Sequence, residues 1–334
     1  MEMLIYMNIT IFGVGAVGGV FAARLALAGH NLCLIARESF MRAVLDQGGL
    51  RFVSENNQSF QITELEVRTR LHKTIPLELI LVTTKAYDNL EVSRELARFA
   101  SPETRVLLIQ NGVGNSQEFT QHFPSHQVYR AITTIGAQVL EPGFVIEKAT
   151  GTLTLGKEGS PLDSEEDLPF LEQLCELFTT AQITTTIAPD IQRVIWRKTL
   201  INAALNPVCA ILGVKNGCLL DGARLEHFFE AVLLEGQQIL ESSSIFFSRS
   251  ELLASAKAIV QKTAENRCSM LQDLLHGKRT EIDYLNFQFV KLANQLRVAA
   301  PLNEQLYSLI KHLEEGNLQR EKAKNQLLAI VNRF

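Results

Sequence analysis

The stretch ITIFGVGAVGG, residues 9–19, limits this chain more than any other part of it. Ile9 to Phe12 is a short apolar run with β-branched content, as a strand buried in a parallel sheet requires. Gly13, Gly15 and Gly18 follow, and then an alanine- and leucine-rich helical pattern that ends near Gly29. A strand that turns through GxGxxG into a helix is built for an anion. The first glycine permits the turn, the second lets a pyrophosphate approach the backbone, and the third lets helix and strand pack closely. Free N–H groups at the helix start supply the donors. The turn Gly13, Val14, Gly15, Ala16, Val17, Gly18 is therefore expected to hold a dinucleotide. The plainer reading, a glycine-rich turn without a ligand, fits the context less well.

Strand and helix then alternate. NLCLIA and LELILVTTK read as strands, NLEVSRELARFA as a helix, and TRVLLIQNGVG as a strand entering a glycine turn. The alternation predicts a Rossmann-type, doubly wound parallel sheet, an α/β domain over residues 1–189. KEGSPLDSEEDLP is a polar connector, followed by a helix from about Pro169 to Thr180 and a last strand, ITTTIAP. From Asp190 onward the periodicity is almost only helical, broken at GVKNGCLLDG, FFSR, HGKR and Pro301, which predicts an all-α domain over 190–334.

Two domains suit a chain of 334 residues. A net charge of −4 gives no reason to expect nucleic acid or an anionic membrane surface. The apolar start is broken by Arg24 and lacks a basic leader, so it does not read as a signal or membrane segment. The five cysteines are scattered and never form CxxC, and the seven histidines lack ligand spacing. The expectation is a reduced, cytosolic protein without a metal site.

The end of the second strand distinguishes the cofactors. NAD sites carry an acid there for the ribose 2′-hydroxyl. This strand runs NLCLIAR, and Arg37 stands in the acid's place with Glu38 beside it. A guanidinium suits a 2′-phosphate, so the reading is NADP(H). A solvated loop arginine is the alternative.

RVIWRKTLINAALNPV, residues 193–208, is a mostly apolar helix with Lys198, Asn202 and Asn206 four residues apart, hence on one face. Buried polar groups cost roughly 2–7 kcal/mol without partners, so something polar must meet this stripe. A small polar substrate would do so. Reducing a ketone puts negative charge on the carbonyl oxygen, and a fixed lysine donor lowers that barrier. Neighbouring helices or buried water are the alternative partners.

GVGAVG together with TTKAYD at 83–88, QNGVGN at 110–115, TTIGA at 133–137, WRKTLINAALNP at 196–207, KNG at 215–217 and SMLQDLLHGKRTEIDYLN at 269–286 resembles the ketopantoate reductases (2-dehydropantoate 2-reductases). The wider group includes 6-phosphogluconate and short β-hydroxyacid dehydrogenases. The resemblance spans nearly the whole chain in order. It implies that Lys198 is the catalytic proton donor, with Glu281 an acidic residue beside it and the cofactor. It implies substrate contacts for Asn202, Asn206, Asn216 and Ser269, cofactor contacts for Lys85 and Ala137, and both for Asn111. The implied reaction is the NADPH-dependent reduction of ketopantoate to (R)-pantoate, towards pantothenate and coenzyme A. The cofactor is expected on the amino-terminal sheet and the substrate in a cleft against the helical domain. A homodimer is left open.

Singly, several of these residues have plainer readings. Thr280 and Asp283 form an N-cap-like T-x-x-D pair around Glu281, Lys85 follows a strand as a loop residue would, and Asn111 before Gly112 is ordinary turn chemistry. The chain departs from the family's pattern at Asn286-Phe287, where Asn-Gly is usual, and at ANQLRVAAP, which replaces a more glycine-rich run. A reductase of another 2-oxo acid and a non-catalytic NADP(H)-sensing module remain the rival readings.

Overall fold

The computed structural model describes residues 7–75, 77–159 and 167–334. The chain start and residues 160–166 of the polar connector lie outside that description. The chain divides into two units, Met1–Gln110 with Gly114–Val194, and Asn111–Val113 with Ile195–Phe334.

The first unit contains strands β1 (Ile9–Phe12), β2 (Leu32–Ile35), β3 (Leu50–Val53), β4 (Ser59–Ile62), β5 (Glu66–Arg68), β6 (Leu79–Val82), β7 (Arg105–Leu108), β8 (Val128–Thr133), β9 (Gly136–Glu141), β10 (Phe144–Ala149), β11 (Thr152–Gly156) and β12 (Thr184–Ile187). Its helices are α1 (Ala16–Leu27), α2 (Glu38–Asp46), α3 (Asn89–Ala97), α4 (Asn115–Phe119) and α5 (Asp167–Thr180). One sheet runs β12-β11-β8-β7-β6-β1-β2-β5. From β8 to β5 neighbouring strands are parallel; β11 turns antiparallel on β8, and β12 lies parallel to β11.

Because β1 is buried at every position, both faces of the sheet are covered there. Ile9 and Ile11 pack with buried residues of α1, α2 and α5, while Phe12 packs with those of α3 and α4. This is the doubly wound arrangement expected from the alternating pattern.

A second sheet, β4-β3-β10-β9, was not evident in the sequence. Its Leu50, Phe52, Ile62 and Val145 join the core around α1, which thus packs against both sheets. Arg24 of α1 forms a largely buried ion pair with Glu147 of β10.

The second unit is built from α6 (Ile191–Leu212, continuing from the first unit), α7 (Ala223–Glu241), α8 (Arg249–Lys262), α9 (Ser269–Leu275), α10 (Asn286–Leu296), α11 (Pro301–Glu314) and α12 (Arg320–Val331). They share one apolar core running from Trp196 to Val331. The breaks named from the sequence are present, two more fall at 263–268 and 315–319, and Pro301 opens α11 where its missing N–H costs nothing. Arg297 ends α10 at φ 59°, in the left-handed region that favours glycine. No helix among the described residues is long and apolar enough to cross a membrane.

Candidate active site

The turn after β1 is shaped by contacts that its glycines permit. Gly13 has φ +95°, and a Cβ there would lie 2.4 Å from Thr84 Cγ2. At Gly18 a Cβ would lie 2.3 Å from Thr83 Oγ1, so α1 docks here only without a side chain. Thr83 completes the fit, its hydroxyl donating to the Gly13 carbonyl at 2.7 Å. Gly15 differs: a Cβ there would meet nothing within 4 Å. It is exposed, and α1 starts beside it with no side-chain cap.

The first backbone N–H groups of α1 therefore have no side-chain cap and lie beside an exposed turn, at the positive end of the helix dipole. Tight at Gly13 and Gly18 and open at Gly15, the turn fits a pyrophosphate; Val14 and Val17 pack on the core beneath it.

Arg37 follows β2, exposed, and its guanidinium has no partner among the described residues. Glu38, which could have opposed a 2′-phosphate, is tied instead to Arg42 one helical turn on. Lys85 follows β6, the strand paired with β1 through Phe12 and Val82, and is partly buried rather than solvated. Ala137 lies on the second sheet, in β9, against the same core as Val14 and Val17.

In the second unit α6 carries the polar stripe. Lys198 Nζ donates to Asn111 Oδ1 at 2.8 Å. Asn111 is thus more than a turn former. Its segment is fixed by Val113 N donating to Tyr284 O at 3.0 Å, and Gly112, at φ +86°, comes so close that a Cβ would lie 2.4 Å from that same oxygen.

The amides of Asn202 and Asn206 make no hydrogen bond among the described residues, although Asn206 is buried. Asn216 donates to Thr263 Oγ1 at 3.0 Å, but its buried Oδ1 has no partner. Ser269, at the start of α9, is exposed. Just before it Cys268 donates to the Asn206 carbonyl at 3.5 Å and accepts from Leu271 N. Burial pushes this thiol up to about 12, so it stays protonated as a donor.

The partner that Lys198 meets at 2.8 Å comes from the loop after β7, and among the described residues the asparagine amides are left open to a polar ligand.

Glu281 is buried, three residues before Tyr284. The capping pair read around it does not form. Thr280 Oγ1 accepts from Ile282 N at 3.2 Å, while Asp283 accepts from Arg279 at 2.8 Å and Tyr307 at 3.0 Å, with Lys311 at 3.4 Å. The Arg279–Asp283 pair spans Glu281 and fixes the segment on α11. Asp283 does not act as a cap because Arg279, in the same segment, and Tyr307 and Lys311, on α11, claim its carboxylate. Direct contact brings together Lys198 with Asn111 and Asn216 with Thr263; the glycine turn, Arg37, Lys85 and Ala137 belong to the first unit.

The sequence matches the ketopantoate reductase PanE/ApbA profile over residues 9–159 and the ketopantoate reductase PanE/ApbA C-terminal profile over residues 190–314. It is 34% identical over 316 residues to a 2-dehydropantoate 2-reductase of Pyrococcus horikoshii, covering 92% of this chain and 98% of that one.

The chain belongs to the ketopantoate reductase family.

A probable 2-dehydropantoate 2-reductase of Bacillus subtilis shares this fold with a TM-score of 0.74 and 27% identity, over 92% of this chain and all of that one. D-mandelate dehydrogenase, solved with NADH and anilino(oxo)acetate, aligns with a TM-score of 0.85 at 23% identity, over 94% of this chain and all of that one, a likeness of fold.

Proposed function

We propose that this chain reduces ketopantoate to (R)-pantoate with NADPH, towards pantothenate and coenzyme A. The observation that carries the reading is the α6 stripe, a lysine held by Asn111 beside two asparagine amides that no described protein group takes up. A reduced nicotinamide, when bound, supplies the hydride. The chain's residues do the rest. The Gly13–Gly18 turn binds the pyrophosphate, and Arg37 takes the 2′-phosphate.

Lys198, oriented by Asn111, delivers a proton to the carbonyl oxygen as charge develops there. Asn202 and Asn206 bind hydroxyl and carboxylate oxygens, with Asn216 and Ser269 adding further contacts. Glu281 holds the substrate hydroxyl and the lysine's ammonium; Lys85 and Ala137 contact the cofactor, as does Asn111. The five free cysteines suit a reducing cytoplasm.

The test is NADPH oxidation against a panel of branched, straight-chain and aryl 2-oxo acids. Ketopantoate is expected to give the highest kcat/KM, and another preferred acid or no turnover overturns the assignment. In the same assay NADPH is expected to be preferred over NADH. Arg37→Ala should erode that preference by about 1.5–3 kcal/mol, the value of a charge-assisted contact. Equal use of both cofactors by the unmutated protein would remove Arg37 from the argument.

A further inference from the structure

Helix α6 contains a proline within its span, at Pro207, immediately after Asn206. Proline has no N–H, so the carbonyl four residues earlier, at Ala203, loses its helical donor, and the ring pushes that carbonyl outward. Ala203 is buried, and a buried carbonyl left without a donor is costly. The missing donor comes from a different helix. Asn286, fully buried at the start of α10, donates from Nδ2 to Ala203 O at 2.9 Å.

The same Nδ2 donates its second proton to Asn303 Oδ1 at 2.9 Å. Asn303 in turn donates from its side chain and its backbone to Glu235 Oε1, both at 2.9 Å. At the adjoining Gly236, α7 approaches α6 and α10 so closely that a Cβ would lie 2.6 Å from Leu200 and 3.2 Å from Phe289. The chain Glu235–Asn303–Asn286 thus ends at the one carbonyl of α6 that Pro207 deprives of its donor. That carbonyl lies between Asn202 and Asn206.

We propose that Asn286 is a positioning residue for substrate binding. By supplying the donor that Pro207 lacks, it fixes the local course of α6 and with it the directions of the Asn202 and Asn206 amides relative to Lys198. The inference rests on the proposed role of those amides in holding the substrate. It predicts a specific dependence, in which the need for Asn286 exists only because residue 207 is proline.

The experiment compares Asn286→Ala, Pro207→Ala and the double variant with the unmutated protein. Each is measured for kcat and for KM of ketopantoate at saturating NADPH, for thermal unfolding, and for emission of Trp196. That side chain is the chain's only tryptophan and lies on α6, 5.4 Å from the Phe289 ring of α10. Asn286→Ala is expected to raise KM about tenfold while kcat changes less, since ground-state binding is what the amides provide. Its Trp196 emission is expected to shift.

Restoring an N–H with Pro207→Ala in the Asn286→Ala background is expected to return KM to within about twofold of Pro207→Ala alone, the mark of coupled sites. Trp196 emission is expected to return with it. Independent, additive effects of the two substitutions overturn the proposal, as does an unchanged KM in Asn286→Ala. If Asn286→Ala does not fold, recovery of soluble protein in the double variant supports the pairing and failure to recover overturns it. An unmutated protein without activity on ketopantoate would refute the assigned reaction instead, whereas an active protein that shows no rescue refutes only the role of Asn286.

Discussion

Lys198 has a hydrogen-bond partner that can both orient its ammonium and leave protons for another acceptor. An ammonium carries three donors, and the 2.8 Å bond to Asn111 Oδ1 uses one of them. If the lysine is the proton donor, Lys198→Ala should fold and bind NADPH, because the pyrophosphate turn is in the other unit. It should lower kcat by roughly 10²–10⁴, the usual contribution of a positioned acid. Asn202→Ala and Asn206→Ala should instead act mainly on KM. Thermal unfolding, NADPH affinity and steady-state rates measured on one Lys198→Ala sample decide between mechanism and structure. A lowered melting temperature with normal turnover per folded molecule would make the lysine structural. Lysine and asparagines at a spacing of four were legible because helical geometry alone puts them on one face. The role of Asn286 was not legible, since its partner Ala203 is 83 residues away and its use depends on a proline in another helix.

At the scale of elements, the same turn makes opposite predictions for two of its glycines. Gly18→Ala drives a Cβ into Thr83 and the Gly13 carbonyl, at 2.3 and 2.9 Å, and should cost about 1–3 kcal/mol of stability by overpacking. Gly15→Ala has room for its Cβ, so its melting temperature should hold while NADPH affinity falls roughly tenfold or more, because the methyl occupies the anion's approach. Calorimetry on both variants checks the contrast; a destabilised Gly15→Ala, or one that binds normally, would mean that the turn is not the phosphate site.

The segment around Glu281 makes a pH-dependent prediction. Burial pushes the Asp283 carboxyl up, but hydrogen bonds from Arg279 and Tyr307 and the charge of Lys311 outweigh it and hold the group below its ordinary value. A depressed carboxylate contributes stability that is present at neutral pH and is lost as pH falls through the depressed value. Asp283→Asn should therefore lower the melting temperature at neutral pH by about 2–4 °C, equivalent to ~1 kcal/mol. The difference from the unmutated protein should vanish on acidification, and a gap independent of pH would count against the ion pairs.

The glycine turn and the parallel strands were visible in sequence because each depends on local spacing. The second sheet was not, because β3 pairs with β10 across most of the unit and its strands alternate weakly between buried and exposed positions.

At the scale of the molecule, the path of the chain links the two sets of residues. Asn111–Val113 belongs to the second unit, yet Gln110 before it and Gly114 after it belong to the first. Gln110 is fixed within the first unit by donating to Thr84 O at 2.9 Å and Asn89 Oδ1 at 2.6 Å. Thr84 stands against Gly13, the first glycine of the turn. If a ligand that orders the Gly13 turn also acts on the anchor of the loop that carries Asn111, it reaches the residue that holds Lys198, and cofactor and substrate affinities are then coupled. Coupling of this kind is reciprocal: whatever factor NADP(H) adds to substrate affinity, substrate must add to NADP(H) affinity. Dead-end pairs, pantoate with NADPH or ketopantoate with NADP⁺, allow the measurement without turnover. Calorimetric titration should find the substrate-side ligand bound about 5–150-fold more tightly once the cofactor is present, the usual range of coupling between sites. Asn111→Ala should reduce that factor while leaving cofactor affinity measurable, because the covalent link between the two units remains and only the side chain that reaches Lys198 is lost. Equal affinities with and without cofactor in the unmutated protein would mean that the two units bind their ligands independently, and that Asn111 orients the lysine without transmitting the state of the glycine turn.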